Sequence, residues 1–495
     1  MYFLYSLLYC IALFFLLPVH YLKRPKELRK RWLREKFGFI NPFSGAPKSP
    51  HPPFDPAVSL PDGRQAGPLT KGGIEGGYGS ESTRTNRTKG GIIWIHAVSV
   101  GEVMAALPLL KKLRERYPSK GIILSTITDT GQKVGRNGVP ESTSVVYLPF
   151  DISFVLKTVL KRVTPEILIT IETELWPNIF KVFKDRGIPI VLMNGRISGN
   201  SFKGYKKISF FMKRVLSNVS LFCMQSDLDA ERIGGLGVDK ERIKVLGNFK
   251  FDTKPPSAIP VWAERIVGPV VVAGSTHDGE EELLISVYRE LKKEFPDLNL
   301  IVAPRHPERF KEVEDLLKSK GMSFVKRSTL GIQYSAPSPL PRYESIPTSP
   351  LKGEGRGGMG TPKPESLLSG TIILLDTVGE LSAVYGISDI AVIGKSFKGY
   401  GGQNPLEPAY WGKAILCGPH MENFPFIQDF YGQGAAIEVN EKSLYPALRE
   451  LLLSPEKAKE LGEKARELYT KNTGAVDRAM EVISQYIRTS ADYGG

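Results

Sequence analysis

Ile92–Val103 reads IIWIHAVSVGEV, and Met104–Leu113 continues it as MAALPLLKKL. A short, unbroken apolar run is followed by a small polar turn. Apolar residues then recur at helical spacing. That order is a strand buried on both faces leading into a helix packed against it. The same unit repeats outward along the chain. GIILSTIT, SVVYLPF, EILITIE, IPIVLMN and LFCMQ come after it, each with a helical or polar stretch behind it. A second series opens at PVVVAGS (Pro269–Ser275) and runs through LNLIVAP, MSFVKR, TIILLD, IAVIGKS and AILCG. Repeated β-α order predicts parallel sheets with helices on both faces. Two such series predict two Rossmann-like domains facing a cleft, the first over 92–251 and the second over 270–330 and 366–488. The Pro-rich 252–269 reads as a hinge between them. Ligands of such sheets bind beyond the carboxyl ends of the strands, so the residues just after each strand are the functional candidates.

The remaining segments have a different character. Residues 1–22, MYFLYSLLYCIALFFLLPVHYL, carry no formal charge and are long enough to anchor a helix in a bilayer. A cleaved signal would begin with positive charge and end in small residues, and neither is present. The basic juxtamembrane segment 23–44 comes next. Lys23–Lys36 holds eight basic and two acidic side chains, which supplies six of the fourteen net positive charges of the 495-residue chain. The positive-inside tendency places the chain after Lys23 on the cytoplasmic side. The same run suits anionic lipid head groups. Residues 45–91 and 331–365 are rich in Gly and Pro without apolar periodicity, the second with seven Pro and six Gly. Both are predicted to be flexible insertions, since they bury too little apolar surface to offset ordering entropy. Three cysteines, far apart in apolar runs, indicate neither disulfides nor a thiolate metal cluster.

The post-strand candidates each admit a bland and a functional reading. Ser99-Val-Gly-Glu102 fits a capping box, and the functional reading of Glu102 beside it is a general base. Glu172-Thr-Glu174-Leu-Trp-Pro-Asn178 sets two carboxylates beside a Trp. Arg196, in Asn194-Gly-Arg196-Ile-Ser198, is either an anion contact or a surface ion-pair partner. Asp227-Leu-Asp229 reads as a helix start rather than a metal site. Lys250 stands at the end of the first series. Ser275 and Thr276 open a helix, either as plain caps or as a phosphate site. Pro304-Arg305-His306-Pro-Glu-Arg309 suits phosphate recognition. Gly379-Glu380-Leu381 opens another helix. Gly399 to Glu407 is a Gly-rich turn in which Asn404, Pro405, Leu406 and Glu407 suit a nucleotide. No HExxH or Cys/His cluster points to a metal.

The stretches WIHAVSVGE, ETELWPN, NGRIS, GNFKFD, AGSTHDGEE, PRHPERF, GELSAVYGISDIAVIG, GGQNPLEPA and GPHMENF, in this order, resemble the 3-deoxy-D-manno-octulosonate (Kdo) transferase family of lipopolysaccharide assembly. The resemblance covers nearly everything outside the two insertions. It implies a GT-B fold and an inverting, metal-independent enzyme without cofactor. The donor would be CMP-Kdo and the acceptor a lipid A precursor, with the enzyme anchored in the inner membrane and both domains cytoplasmic. The first domain would hold the acceptor and the second the donor nucleotide. Glu102 would be the base, and Glu172 and Lys250 would stabilise the transition state. Pro304, Arg305, Gly379, Glu380, Leu381, Asn404, Pro405, Leu406 and Glu407 would bind the donor, with Ser275, Thr276 and Arg196 as phosphate or acceptor contacts. Two departures are visible: Gln403 stands where the family has His, and Lys395-Ser396 where it has Gly-Ser. The rivals are a UDP- or GDP-sugar enzyme of the same fold and a non-catalytic polyanion binder. Carboxylates at the expected ligand edge argue against a surface built for nucleic acid.

Overall fold

The computed structural model describes residues 1–42, 91–253, 258–330, 367–399 and 401–487. The expected insertions, 45–91 apart from Gly91 and 331–365, lie outside the described residues. The chain divides into two compact units, Met1–Phe249 with Gly474–Gly495, and Lys250–Thr473.

The first unit holds strands β1 (Ile92–His96), β2 (Gly121–Thr126), β3 (Thr143–Tyr147), β4 (Pro165–Ile171), β5 (Ile190–Gly195), β6 (Leu221–Met224) and β7 (Ile243–Val245). All pair in parallel, in the order β3-β2-β1-β4-β5-β6-β7. Side chains alternate across a strand, so β1 feeds two cores. Ile93 and Ile95 pack with Ala105, Leu109 and Leu113 on one face. Ile92 and Trp94 pack with Phe180 and Phe183 on the other. Burial on both faces is why the strand shows no polar alternation.

Two N-terminal helices, α1 (Tyr2–Lys23) and α2 (Lys26–Lys36), belong to this unit. Among the described residues α1 is the one helix long and apolar enough to cross a membrane. Tyr2, Tyr9, Leu13, Leu17 and Tyr21 line its protein-facing stripe. The Tyr5 hydroxyl donates to the buried Asp151 at 2.8 Å. Phe3, Leu4, Leu8, Phe14 and Phe15 are exposed. Helix α2 closes the edge of the sheet. Tyr147 N–H donates to Glu35 at 2.6 Å, and Arg31 donates to the Val145 carbonyl at 2.7 Å. An open strand edge is an aggregation hazard, and part of the basic segment covers this one.

The second unit holds β8 (Val270–Thr276), β9 (Asn299–Pro304), β10 (Phe324–Lys326), β11 (Ile372–Leu374), β12 (Ile390–Ile393), β13 (Ala414–Cys417) and β14 (Ile437–Glu438). They are again all parallel, in the order β10-β11-β9-β8-β12-β13-β14. The edge strands β7 and β14 are too short to give a periodic signal, and neither was expected.

Two boundaries differ from the expected ones. The hinge expected over 252–269 contains a helical turn, Val261–Arg265, whose Trp262 is fully buried with Val270, Val272 and Ile301 of the second unit. A large aromatic without apolar surroundings would be costly, so this part of the segment packs instead of linking. The second domain, expected to run to 488, ends at Thr473. The helix Ala475–Ser484 returns to the first unit, where Val476, Ala479, Met480 and Ile483 join the core beside α3 (Val100–Arg116).

Ile483→Ala should therefore weaken the first unit by about 2–5 kcal/mol. Denaturant unfolding followed by a probe in each unit is expected to lower the midpoint of the first unit and leave that of the second unchanged.

Candidate functional site

Each sheet reverses its strand order once, between β1 and β4 in the first unit and between β8 and β12 in the second. At such a point the flanking loops turn to opposite faces and leave a crevice at the carboxyl ends. The candidate residues collect around these two points.

In the first unit, α3 begins with Ser99 as N-cap, its hydroxyl accepting the Glu102 N–H. Glu102 reaches back to accept from Val98 N–H at 2.7 Å and from the Ser99 hydroxyl at 2.9 Å. The capping box is thus formed, yet the carboxyl is buried. Burial pushes its pKa up. The two hydrogen bonds oppose this, and the charge of Glu172 adds to it. Cap and base are compatible readings of one side chain.

The loop after β4 carries Glu172 in a left-handed conformation, φ 59°, with its N–H on the Met193 carbonyl at 2.8 Å. Such a conformation is uncommon for a residue with a Cβ and is held here by the surrounding bonds. Glu174 is pushed up to about 7 by burial and by the charges of Glu102 and Glu172. The three carboxylates therefore share one electrostatic neighbourhood. Arg196 joins it through its backbone, since its N–H donates to the Thr173 hydroxyl at 3.0 Å. Its guanidinium has no hydrogen bond or ion pair among the described residues. Ser226 caps the helix Asp227–Gly234 and accepts the Asp229 N–H, while the Asp229 carboxylate accepts from Ile197 N–H at 2.8 Å.

Lys250 starts the second unit, in the turn Phe249–Asp252, with Nζ 5.1 Å from the Phe424 ring. Glu102 and Glu172 belong to the first unit.

The second switch point is more heavily tied down than its sequence suggests. Ser275 has φ 57°, and Gly394 lies against its backbone so closely that a Cβ there would meet the Ser275 carbonyl at 2.4 Å. The Thr276 hydroxyl donates to Glu281 at 2.8 Å, and Glu281 also takes Arg309 at 2.6 Å. Thr276 and Arg309 are thereby spent inside the fold, which leaves Arg305 as the exposed Arg of that turn. Glu380 is buried and held by both nitrogens of a two-point Arg327 contact, each at 2.8 Å, and by the Thr377 hydroxyl at 2.6 Å. Gly379 just before it has φ 94°, which a glycine adopts without strain. Leu381 begins the short helix Leu381–Val384. Asn404 accepts the Leu406 N–H at 3.2 Å and shapes the turn that Pro405 continues. Glu407 is raised by burial, against contacts from Ser382 and Asn404 and the charge of Arg305. The structure therefore gathers Arg305, Ser382, Asn404 and Glu407 at one edge.

Two further groups carried little sequence signal. His96, the last residue of β1, is buried and bonded to Ser125 through Nδ1; burial pushes it down to about 3, so it is a neutral imidazole. Tyr205 is raised by burial and by the charge of Glu174.

Comparison with known proteins agrees with this architecture. A family model described as 3-deoxy-D-manno-octulosonic-acid transferase (kdotransferase) matches residues 33–253. A 3-deoxy-D-manno-octulosonic acid transferase of Haemophilus influenzae is 34% identical over 406 residues, which is 80% of this chain and 87% of the relative. One of Rickettsia felis is 32% identical over 409 residues, 80% of this chain and 79% of the relative. Among solved structures, a UDP-GlcNAc 2-epimerase from Neisseria meningitidis bound to UDP-GlcNAc superposes with a TM-score of 0.50 at 11% identity, over 80% of this chain and 99% of its own. Its likeness is one of fold. The tandem sheets have the GT-B architecture, and the relatives make the chain a glycosyltransferase. It belongs to the 3-deoxy-D-manno-octulosonic acid (Kdo) transferase family.

The raised carboxyl of Glu174 predicts a pH effect. Its ordinary value is 4.5 and its folded value about 7. Between these the folded protein keeps a proton that the unfolded chain has lost, so stability falls as pH rises through that window. Glu174→Gln should remove this fall. Thermal unfolding is expected to show the variant matching the unmodified protein at low pH and exceeding it above the window.

Proposed function

We propose that the chain transfers Kdo, with inversion, from CMP-Kdo to a lipid A precursor at the cytoplasmic face of the inner membrane. Family membership supports the sugar and its donor. The observation that carries the acceptor side is Glu102, a buried carboxylate with raised proton affinity, fixed at the β1–β4 switch point beside Glu172. Helix α1, long and apolar enough to be an anchor, supports the membrane placement.

In this reading the acceptor hydroxyl oxygen attacks the anomeric carbon of Kdo. The bond to the CMP phosphate breaks, and CMP leaves with its electron pair. Glu102 takes the hydroxyl proton; burial makes it a stronger base than an exposed carboxylate, and the bonds from Val98 and Ser99 hold its direction. Glu172 and Lys250 act on the charge that develops during transfer. Arg196, whose guanidinium is unpaired among the described residues, meets an acceptor phosphate. On the donor side Arg305 faces the CMP phosphate, and the turn Asn404, Pro405, Leu406 and Glu407, with Gly379, Glu380 and Leu381, holds the nucleotide. Glu380 contributes through its backbone, since its carboxylate is taken by Arg327. Ser275 shapes this edge. The basic face of the N-terminal helices meets anionic head groups, in line with the charge excess of Lys23–Lys36.

Incubation with CMP-Kdo and a tetra-acylated lipid A precursor, read by mass spectrometry, should show mass increments of whole Kdo units; their absence overturns the assignment. CMP should raise the melting temperature where UDP and GDP do not. Glu102→Gln should lower kcat by about 10²–10⁴-fold while CMP-Kdo binding, followed by calorimetry, stays unchanged. Full activity in that variant would remove Glu102 from the role of base.

A further inference from the structure

Glu280 is 1% exposed and opens the helix Glu280–Leu291. An unpaired buried carboxylate would be strongly unfavourable, and this one has four donors. Oε2 accepts from His277 N–H at 2.9 Å and from Lys395 N–H at 2.7 Å. Oε1 accepts from Ser396 N–H and from Phe397 N–H, each at 3.0 Å. Three of these donors are successive backbone groups of the loop after β12. They form a nest of the kind that binds phosphate or sulfate at strand ends. Here the nest is filled from within the chain, by a residue 115 positions away in sequence from the first of its donors.

The loop so held is the one that sets the Gly-rich turn. The Lys395 carbonyl accepts from Gly402 N–H at 3.0 Å. The Ser396 hydroxyl accepts from Gly418 N–H at 2.8 Å, and its carbonyl accepts from His420 N–H at 3.0 Å. Gly401 N–H is in turn taken by Glu422 at 2.9 Å. Lys395 itself sits at φ 56°, a conformation that a non-glycine residue keeps only under constraint. Gln403 and the donor turn Asn404–Glu407 come directly after.

We propose that Glu280 is the positioning residue of the donor edge. Its carboxylate occupies the anion nest between β8 and β12, joins the two loops of the switch point, and fixes the turn that presents Asn404 and Glu407. The nest is thereby closed to the donor phosphate, which is left to Arg305 and the turn. This inference rests on the reading of that edge as the CMP-Kdo site.

The test uses the full chain. Glu280→Gln keeps the side-chain volume but offers one accepting oxygen to four donors. Without any ligand, hydrogen exchange at the amides of Lys395, Ser396 and Phe397 is expected to be about tenfold faster in this variant. With CMP-Kdo, KM should rise about tenfold while kcat changes by less than about threefold. In Glu280→Ala, added formate at fixed ionic strength should refill the nest and restore both the protection and KM. Unchanged protection in Glu280→Gln overturns the proposal, as does a fall in kcat with KM unchanged or a failure of formate to restore the alanine variant. If protection is lost as expected but CMP-Kdo is neither bound nor used by the unmodified protein, the donor reading fails and the hold of Glu280 on the loop stands.

Discussion

Right-handed crossovers between parallel strands put every helix on one face of the sheet as long as it grows in one direction, so covering both faces requires the direction of growth to reverse. In this chain the reversal falls between β1 and β4 and between β8 and β12. Everything chemical in the molecule depends on that constraint. It opens the sheet edge where backbone groups of adjacent loops are no longer consumed by the ladder. It also brings loops that are distant in sequence into contact. Glu102 and Glu172 are neighbours because β1 and β4 are neighbours. Ser275 and Gly394 touch because β8 and β12 pair.

The two edges handle buried charge in opposite ways. At the first, three carboxylates lie together, and burial and mutual repulsion raise the proton affinity of Glu102 and Glu174 despite the hydrogen bonds that Glu102 accepts. A group in that state holds a proton more readily than an exposed carboxylate does. At the second, most buried carboxylates are matched by donors. Glu280 takes four backbone N–H groups, Glu281 takes Arg309 and Thr276, and Glu380 takes Arg327 and Thr377. Breaking any of these would strand a buried charge, so they act as rigid pins. The first edge holds carboxylates of raised proton affinity, and the second holds carboxylates fixed by donors.

The N-terminal helices show one segment serving two ends. The apolar composition of α1 suits a bilayer, yet its tyrosine stripe is fitted to the first unit through Asp151 and neighbouring contacts. The basic character of α2 suits head groups, while Arg31 and Glu35 close the sheet edge at β3.

The parallel architecture was legible in sequence because buried strands write themselves as unbroken apolar runs, and all twelve such runs became strands, β1 to β6 and β8 to β13. The strand-end rule then pointed to Glu102, Glu172, Arg305 and the Asn404–Glu407 turn. The capping pattern at Ser99 and Ser226 was also readable, since caps are set by residues three apart. Partnership across long separations was not readable. Sequence alone leaves Thr276 available for phosphate and Glu380 for the ligand, whereas Glu281 holds the first and Arg327 takes the second; the four backbone donors on Glu280 carry no local signal at all. The return of Ala475–Ser484 to the first unit was equally hidden, because an apolar helical face does not say which core it joins. Local spacing determined the elements and the edge where chemistry occurs. Only the tertiary structure decided which of those edge residues remain free to act, because hydrogen-bond partners and burial are fixed by loops that meet in space and not in sequence.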